Sequence, residues 1–325
     1  MSERNETERL CLIVNPLSGG GATERRLEKL RRAADRWFAE WTLRITEGPG
    51  HATELAAEAV SEGFQVVAAV GGDGTASETV NGLFEEDRIR DADVVFTAIP
   101  AGTGSDLVRT LDVPRDFGAA LRVAAEGETR ASDVAHVVYT PPGTDETEGR
   151  ICVNVAGFGL SGDVVLRANQ SSKRFGGTAT FLSASIRSLA AYRPARARVT
   201  WVGEDETEQT WEGELMNAFV ANGAYCGGGM WVGRGGSMQD GLLDLVLIPR
   251  LPLHRALVNF PRLYMGTTER TPGVMHHRIV SLEAEAEGDA PVLLDVDGEQ
   301  PGALPIRVRV LKSVLKIRGQ WGIHE

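Results

Sequence analysis

The chain has 325 residues, 42% of them hydrophobic and 24% charged. That composition excludes a disordered, collagen-like or disulfide-stapled protein, and at roughly 150 residues per domain the length favours two domains. The formal net charge is −11, with only Lys29, Lys173, Lys312 and Lys316 as lysines among 34 basic residues. Nucleic acid is excluded as a partner, because phosphate neutralisation needs a basic face. Cys11, Cys152 and Cys226 are far apart and form no CxxC pair, so they read as buried free thiols of a reducing cytosol. The N-terminus is polar rather than signal-like, and no apolar run approaches the ~18 residues of a membrane span. Any membrane contact is expected to be peripheral.

In chain order, residues 10–16 (LCLIVNP) read as a buried strand, followed by Ser18-Gly19-Gly20-Gly21. Leu27, Leu30, Ala34, Trp37 and Phe38 then recur at helical spacing within residues 22–40. A strand over 41–46, a helix over 51–62 and a buried strand over 64–70 come next, the last running into Gly71-Gly72-Asp73-Gly74-Thr75. A helix over 76–84 leads to a strand over 94–99, the loop Pro100-Ala101-Gly102-Thr103-Gly104-Ser105-Asp106, and a helix over 116–126. This alternation predicts a parallel sheet with helices on both faces. Glycine-rich loops leave the carboxyl ends of three strands, the edge where open α/β sheets bind ligands.

After about residue 133 the pattern changes to short β-rich runs at 134–139, 151–156, 197–202, 210–220, 242–248, 278–286, 291–296 and 305–318. Turns separate them, as in an antiparallel sandwich or barrel. The acidic stretches 143–149 and 203–209 read as hairpin tips, and helices interrupt near 161–168, 176–191 and 252–266. The glycine-rich stretch 225–236 is either a lid or an irregular loop. His276 and His277 are neighbours on a predicted strand, point to opposite faces and cannot share a metal.

The chemistry concentrates in the loops. A glycine run after a buried strand lets the backbone approach phosphate, and the following helix aims its first N–H groups at the same place. Asp73 would repel phosphate unless a Mg²⁺ lay between them. Taken alone, GGDGT also reads as a tight turn with Asp73 as a helix cap. Two further loops of similar character on the same edge make coincidence a poor explanation. The first loop is neither a Walker A loop nor a GxGxxG fingerprint.

VNPLSGGG, GGDGTASETVNGL and IPAGTGSDLVRTL, in this order and spacing, resemble the diacylglycerol kinase catalytic family, which includes bacterial lipid kinases and sphingosine kinases. VNVAGFGLSGD at 153–163, MQDGLLDL at 238–245 and DVDGEQPGALP at 295–305 extend the resemblance, so it covers about residues 10 to 318. It implies an α/β plus all-β architecture. A doubly wound, NAD-kinase-like α/β domain (8–135) would precede an antiparallel β-sandwich lipid-substrate domain (136–319), with the active site in the cleft between them. The tail 306–325 is a candidate to return to the first domain.

The resemblance further implies an ATP- and Mg²⁺-dependent lipid kinase, cytoplasmic and peripheral at the inner membrane face, that phosphorylates a hydroxyl of diacylglycerol or a related lipid; a homodimer is one option. It places the phosphates of ATP over Asn15, Ser18, Gly19, Gly72, Gly74, Thr75, Gly102 and Thr103, and magnesium at Asp73. It gives Asp106 and Arg109 an acceptor-facing role, puts Asp133 at the domain junction, and makes Glu299 the candidate general base. Asp240 is a weaker metal candidate, since Gln239 stands where many relatives carry an acid or Asn. Ser105 and Leu107 are mild departures from the family's Asn and Phe. Candidate lipid-wall residues are Phe158, Leu160, Phe175, Phe181, Leu182 and Leu189, with Trp231 nearby in sequence.

The basic stretches 187–198 and 306–318 are either solvated sheet faces or anionic-headgroup contacts. A kinase of a soluble acceptor such as NAD and a non-catalytic nucleotide-binding regulator are the alternative functions.

Overall fold

A computed structural model describes residues 5–101, 105–170, 188–189, 191–233, 237–288 and 290–321. The chain forms two compact units, one from residues 1–132 and 313–325 and the other from 133–312.

In the first unit Asn5–Val14, Phe38–Ile45, Val66–Gly71 and Val95–Pro100 are parallel strands. Across the sheet their order is Phe38–Ile45, Asn5–Val14, Val66–Gly71, Val95–Pro100, and Lys316 and Ile317 then pair with Val95 and Phe96. Every residue of Val66–Gly71 and Val95–Pro100 is buried. Parallel strands covered on both faces need such unbroken apolar runs, which is why VVAAV and VFTAI show no alternation. Helix Leu27–Trp37 packs with Phe117–Glu126, and His51–Ser61 packs with Asp73–Gly82. Strand Asn5–Val14 has its two sequence successors on opposite sides, so the sheet order reverses between it and Val66–Gly71. The crevice outside such a reversal is the usual ligand position in an open α/β sheet.

Two local expectations shift. The first long helix stops at Trp37, and Phe38, extended at φ −123° and ψ 138°, begins the next strand. Phe38 is fully buried and pairs with Asn5, so sheet burial overrides its helical spacing. Between the helix over Asp73–Gly82 and the strand at Val95, a small hairpin pairs Phe84–Glu85 with Arg88–Ile89.

In the second unit the strands between Val155 and Ala286 pair antiparallel. Glu208–Ala221 is its longest internal strand, and its two halves have different neighbours. Residues 208–215 pair with Ala195–Gly203, while 217–221 pair with both Val155–Gly159 and Leu243–Pro249. Met275–Ala286 divides the same way, between Leu243–Pro249 and Ala195–Gly203. The inward residues of these strands, among them Phe158, Trp201, Leu215, Leu245 and Leu282, form one core of this β-sandwich.

A second, smaller apolar cluster gathers Met216, Phe219, Met230, Val246 and Ile248 under helix Leu253–Met265. The acidic stretches at 143–149 and 203–209 lie at hairpin connections. The run 151–156, expected as one strand, is two: Glu148–Cys152 and Val155–Gly159. The 225–231 part of the glycine-rich stretch is a hairpin, Tyr225–Cys226 against Met230–Trp231, whose turn residues Gly227, Gly228 and Gly229 all have positive φ. The helix expected over 176–191 lies almost wholly outside the described residues.

Among the described residues no helix is long and apolar enough to cross a membrane. Cys11 and Cys152 are buried and Cys226 is half-buried, and none of the three is in a disulfide. His276 bonds Thr268 through its ring nitrogen at 3.2 Å, while His277 stacks on Trp201 at 4.6 Å, as two faces of one strand require.

Candidate active site

Three adjacent parallel strands of the first unit release their loops at one edge, and hydrogen bonds tie those loops together. Asn15 Nδ2 donates to Thr75 Oγ1 at 3.3 Å, joining the first loop to the second. Thr23 Oγ1 lies 3.1 Å from the Ser18 carbonyl and 3.0 Å from that of Ala101, joining the first to the third. Asp73 joins the second to the third. Its Oδ2 accepts from Asp106 N at 3.1 Å and its Oδ1 from Leu107 N at 3.2 Å.

Asp73 thereby caps the short helix Asp106–Thr110, whose preceding residue, Ser105, makes no side-chain cap. Gly71 admits only glycine, since a Cβ there would stand 2.4 Å from Thr75 Oγ1. Gly19 sits at φ 63° at the exposed turn of the first loop.

Of the other sites expected here, Gly72, Gly74 and Thr75 lie at the start of the Asp73–Gly82 helix, where unpaired N–H groups suit an anion. Asp106 is buried, and Arg109 Nη1 lies 3.8 Å from its Oδ1. Gly102 and Thr103 lie outside the described residues.

In the second unit, Asp297-Gly298 is a two-residue hairpin turn, with φ of 50° and 84° and Val296 bonded to Glu299 in both directions. That is the Asp-Gly turn that left-handed φ demands. Glu299 leaves the turn with its carboxylate 2.6 Å from Arg150 Nη2. Asp297 is buried and accepts from Val153 N at 3.0 Å, Asn154 N at 3.0 Å, Val155 N at 3.1 Å and Cys152 Sγ at 3.2 Å. This carboxylate is the reason the 151–156 run breaks: the N–H groups of 153–155 turn inward to it instead of continuing one ladder. Burial, reinforced by the Asp297 charge, pushes the Cys152 thiol well above its ordinary value.

Asp133 is also buried, and its Oδ2 accepts from Gly241 N at 2.7 Å, holding the turn that carries Asp240. Asp240 Oδ2 lies 2.6 Å from Arg278 Nη2, and its two oxygens also accept from Ser237 N and Leu242 N. A guanidinium thus supplies the positive charge at Asp240. Among the described residues no group of three or more His, Cys, Asp or Glu side chains is arranged to hold a metal.

An apolar pocket of about 100 Å³ opens in the second unit. Its walls include Leu160, Leu189, Met216, Phe219, Met230 and Phe260. Of the expected lipid-wall residues, Leu160 and Leu189 line it. Phe158 faces the sandwich core instead, and Phe175, Phe181 and Leu182 lie outside the described residues.

One acid that sequence reasoning missed lies in this wall. Asp295 is flanked by Leu294 and Val296, which point into the core, so alternation turns its side chain the other way. Burial, opposed by a hydrogen bond from Gly298 N and reinforced by Asp297, raises its carboxyl to about 7. The signal was the alternating D-x-D spacing of 295 and 297, read as part of one motif.

The sign of the stability effect follows. Unfolded, this carboxyl titrates near 3.8. Between about pH 4 and 7 the native state holds a proton that the unfolded chain releases, so stability falls as pH rises through that window. Asp295→Asn is expected to leave stability unchanged near the acid end and to gain ~2 kcal/mol by about pH 8. Urea unfolding at the two pH values measures this; a variant whose pH dependence matches the wild type contradicts it.

The basic stretches are largely neutralised locally. Arg196 and Arg198 pair with Glu287, Glu212 and Glu285, Arg307 with Glu283, Lys316 with Asp93 and Arg318 with Glu8, while Arg187 lies outside the described residues.

The Diacylglycerol kinase catalytic domain model matches residues 9–137, and the YegS C-terminal NAD kinase beta sandwich-like domain model matches 154–319. A Stenotrophomonas maltophilia protein named "Probable lipid kinase YegS-like" is 28% identical over 96% of both chains. A Bacillus subtilis diacylglycerol kinase is 25% identical over 92% of both. The crystal structure of a candidate diacylglycerol kinase from Bacillus anthracis str. Sterne covers 96% of this chain and 95% of its own, at 24% identity and a TM-score of 0.75. Yeast NADH kinase shares the fold at 12% identity and a TM-score of 0.52, over 95% of this chain and 82% of its own. With both domain models matched in order, the chain belongs to the diacylglycerol kinase catalytic-domain family of YegS-type lipid kinases.

Proposed function

We propose that the chain transfers the γ-phosphoryl group of ATP, with Mg²⁺, to a hydroxyl of diacylglycerol or a related lipid. The observation that carries the lipid over a soluble acceptor is the apolar pocket of the second unit, where Asp295 is the one acid among mostly aliphatic and aromatic walls. Such a lining suits an acyl chain and offers little to a charged dinucleotide.

In the first unit Asn15, Ser18, Gly19, Gly72, Gly74 and Thr75 would cradle the phosphates, with the N-terminus of the Asp73–Gly82 helix aimed at them. Gly102 and Thr103 complete that set by resemblance alone. The residues fit a magnesium ion, because the Asp73 carboxylate, a hard oxygen ligand, stands where the second and third loops meet. When bound, the cation neutralises charge on the phosphates. Asp106 and Arg109 would orient the acceptor. Glu299, held by Arg150, would take the hydroxyl proton. Phosphoryl transfer has a loose transition state, so positioning and charge neutralisation do most of the work and a single carboxylate suffices as base. A lipid acceptor also places the enzyme at the cytoplasmic face of the membrane as a peripheral protein.

The test is transfer of labelled γ-phosphate to detergent-dispersed diacylglycerol. The wild type is expected to yield a labelled lipid, and Glu299→Gln to lose turnover by about 10²–10⁴-fold. Equal turnover in the two removes Glu299 as base. Labelled NADP from NAD, without labelled lipid, selects the soluble-acceptor reading. Tight ATP binding without any product selects the regulator.

A further inference from the structure

Helix Leu253–Met265 has the sequence LHRALVNFPRLYM, and Ala256 is its one buried residue. It carries Leu253, Leu257, Val258, Tyr264 and Met265, five of the seven exposed large apolar side chains among the described residues. Val258 is 75% and Met265 58% exposed. At 100° per residue, Ala256, Asn259, Phe260 and Leu263 occupy one side and line the apolar pocket. The exposed five span the other side with His254 and Pro261 among them, and Arg255 and Arg262 lie along one border. This helix contains no Asp or Glu, in a chain whose net charge is −11. The turn beyond it, Thr268–Arg270, holds Glu269 beside Arg270. Ordinary surface helices bury one apolar stripe; this one presents a second stripe to solvent with one cationic edge, the pattern of a helix lying in a bilayer interface.

We propose that Leu253–Met265 is the membrane-docking element, lying in the headgroup region of an anionic lipid surface with Leu253, Leu257, Val258, Tyr264 and Met265 inserted. Two observations select lipid as the occupant. Cationic residues without acids on the same helix complement anionic headgroups. The inward side of the same helix is a wall of the apolar pocket, so a lipid leaving the bilayer meets the pocket one helix away. The second point rests on the lipid-kinase reading; the first does not.

The test is co-sedimentation of the full chain with vesicles of phosphatidylcholine, alone or mixed with phosphatidylglycerol, without ATP. The wild type is expected to sediment with the mixed vesicles. Leu257→Gln/Val258→Gln, which touches neither the pocket lining nor the loops, is expected to lose partition by about tenfold or more, with its thermal midpoint unchanged. Arg255→Gln is expected to lose about fivefold at low salt and little at high salt. On detergent-dispersed diacylglycerol the double variant is expected to turn over like the wild type, and on vesicles to fall with its partition.

Wild-type protein left in the supernatant, or a double variant that sediments like the wild type, overturns the proposal. So does sedimentation velocity showing a dimer that the double variant dissociates while vesicle binding is absent, since a second copy then covers this face. Vesicle binding is read without turnover. If no lipid is phosphorylated in detergent while the double variant still loses vesicle binding, the kinase reading fails and the docking stands.

Discussion

Asp297→Ala is expected to destabilise the second unit by about 4 kcal/mol, a large share of a typical domain's 5–15 kcal/mol. The loss comes from the donors left without an acceptor. The Asp297 carboxylate is 5% exposed and accepts three consecutive backbone N–H groups, from Val153, Asn154 and Val155, besides the Cys152 thiol. Each buried N–H left unpaired costs about 1–3 kcal/mol, and bonds to an ionised acceptor are roughly twice as strong as neutral ones. The penalties do not add fully, because the freed segment can relax towards water. Asp297→Asn keeps one acceptor oxygen but brings an NH₂ group against the same donors, so about half the loss is expected. Urea unfolding, with an unchanged denaturant slope, reads both variants. An alanine variant within about 1 kcal/mol of the wild type would mean that the 153–155 segment finds its partners elsewhere.

The contrast between Asp297 and its neighbours shows what was legible in the chain and what was not. The parallel sheet was legible, because strands covered on both faces must read as unbroken apolar runs such as VVAAV. The three loops were legible, because glycine after such a run has few structural reasons to be there. Strand pairing in the second half was legible only as alternation, since antiparallel partners as far apart as Phe158 and Leu294 leave no local trace. Three consecutive N–H groups bonding a carboxylate more than 140 residues later cannot be read from a window, and so 151–156 reads as one strand. Phe38 was misread for the opposite reason: its local spacing is helical, and sheet burial prevails. Asp295 was overlooked because the eye groups it with Asp-Gly-Glu, whereas strand alternation sends it to a different surface. For the helix at 253–265 the sequence shows apolar residues all round but not which of them remain uncovered; only packing decides that.

Asp73→Asn and Asp73→Ala together separate two duties that one carboxylate can perform. As a cap, Asp73 holds the N–H groups of Asp106 and Leu107 and so fixes the third loop against the second. As a charge, it would face the magnesium that the proposed reaction needs. Alanine removes both duties. Asparagine is isosteric and keeps one acceptor oxygen, so it preserves about half the cap while deleting the charge. A capping residue lost to alanine costs about 1 kcal/mol. That figure bounds the stability difference expected between the variants. The charge acts where negative charge must be balanced during transfer, and deleting one preorganised electrostatic partner typically costs about 10²–10³-fold in kcat. Both variants are therefore expected to lose turnover to a similar extent on detergent-dispersed diacylglycerol, while only the alanine variant loses measurable stability. The two duties also differ in their response to added magnesium: a weakened cation site is partly rescued by it, whereas a displaced loop is not. An asparagine variant within about threefold of wild-type turnover would assign Asp73 to the loop alone, because a tenfold loss corresponds to only 1.4 kcal/mol and a lost cation contact exceeds that.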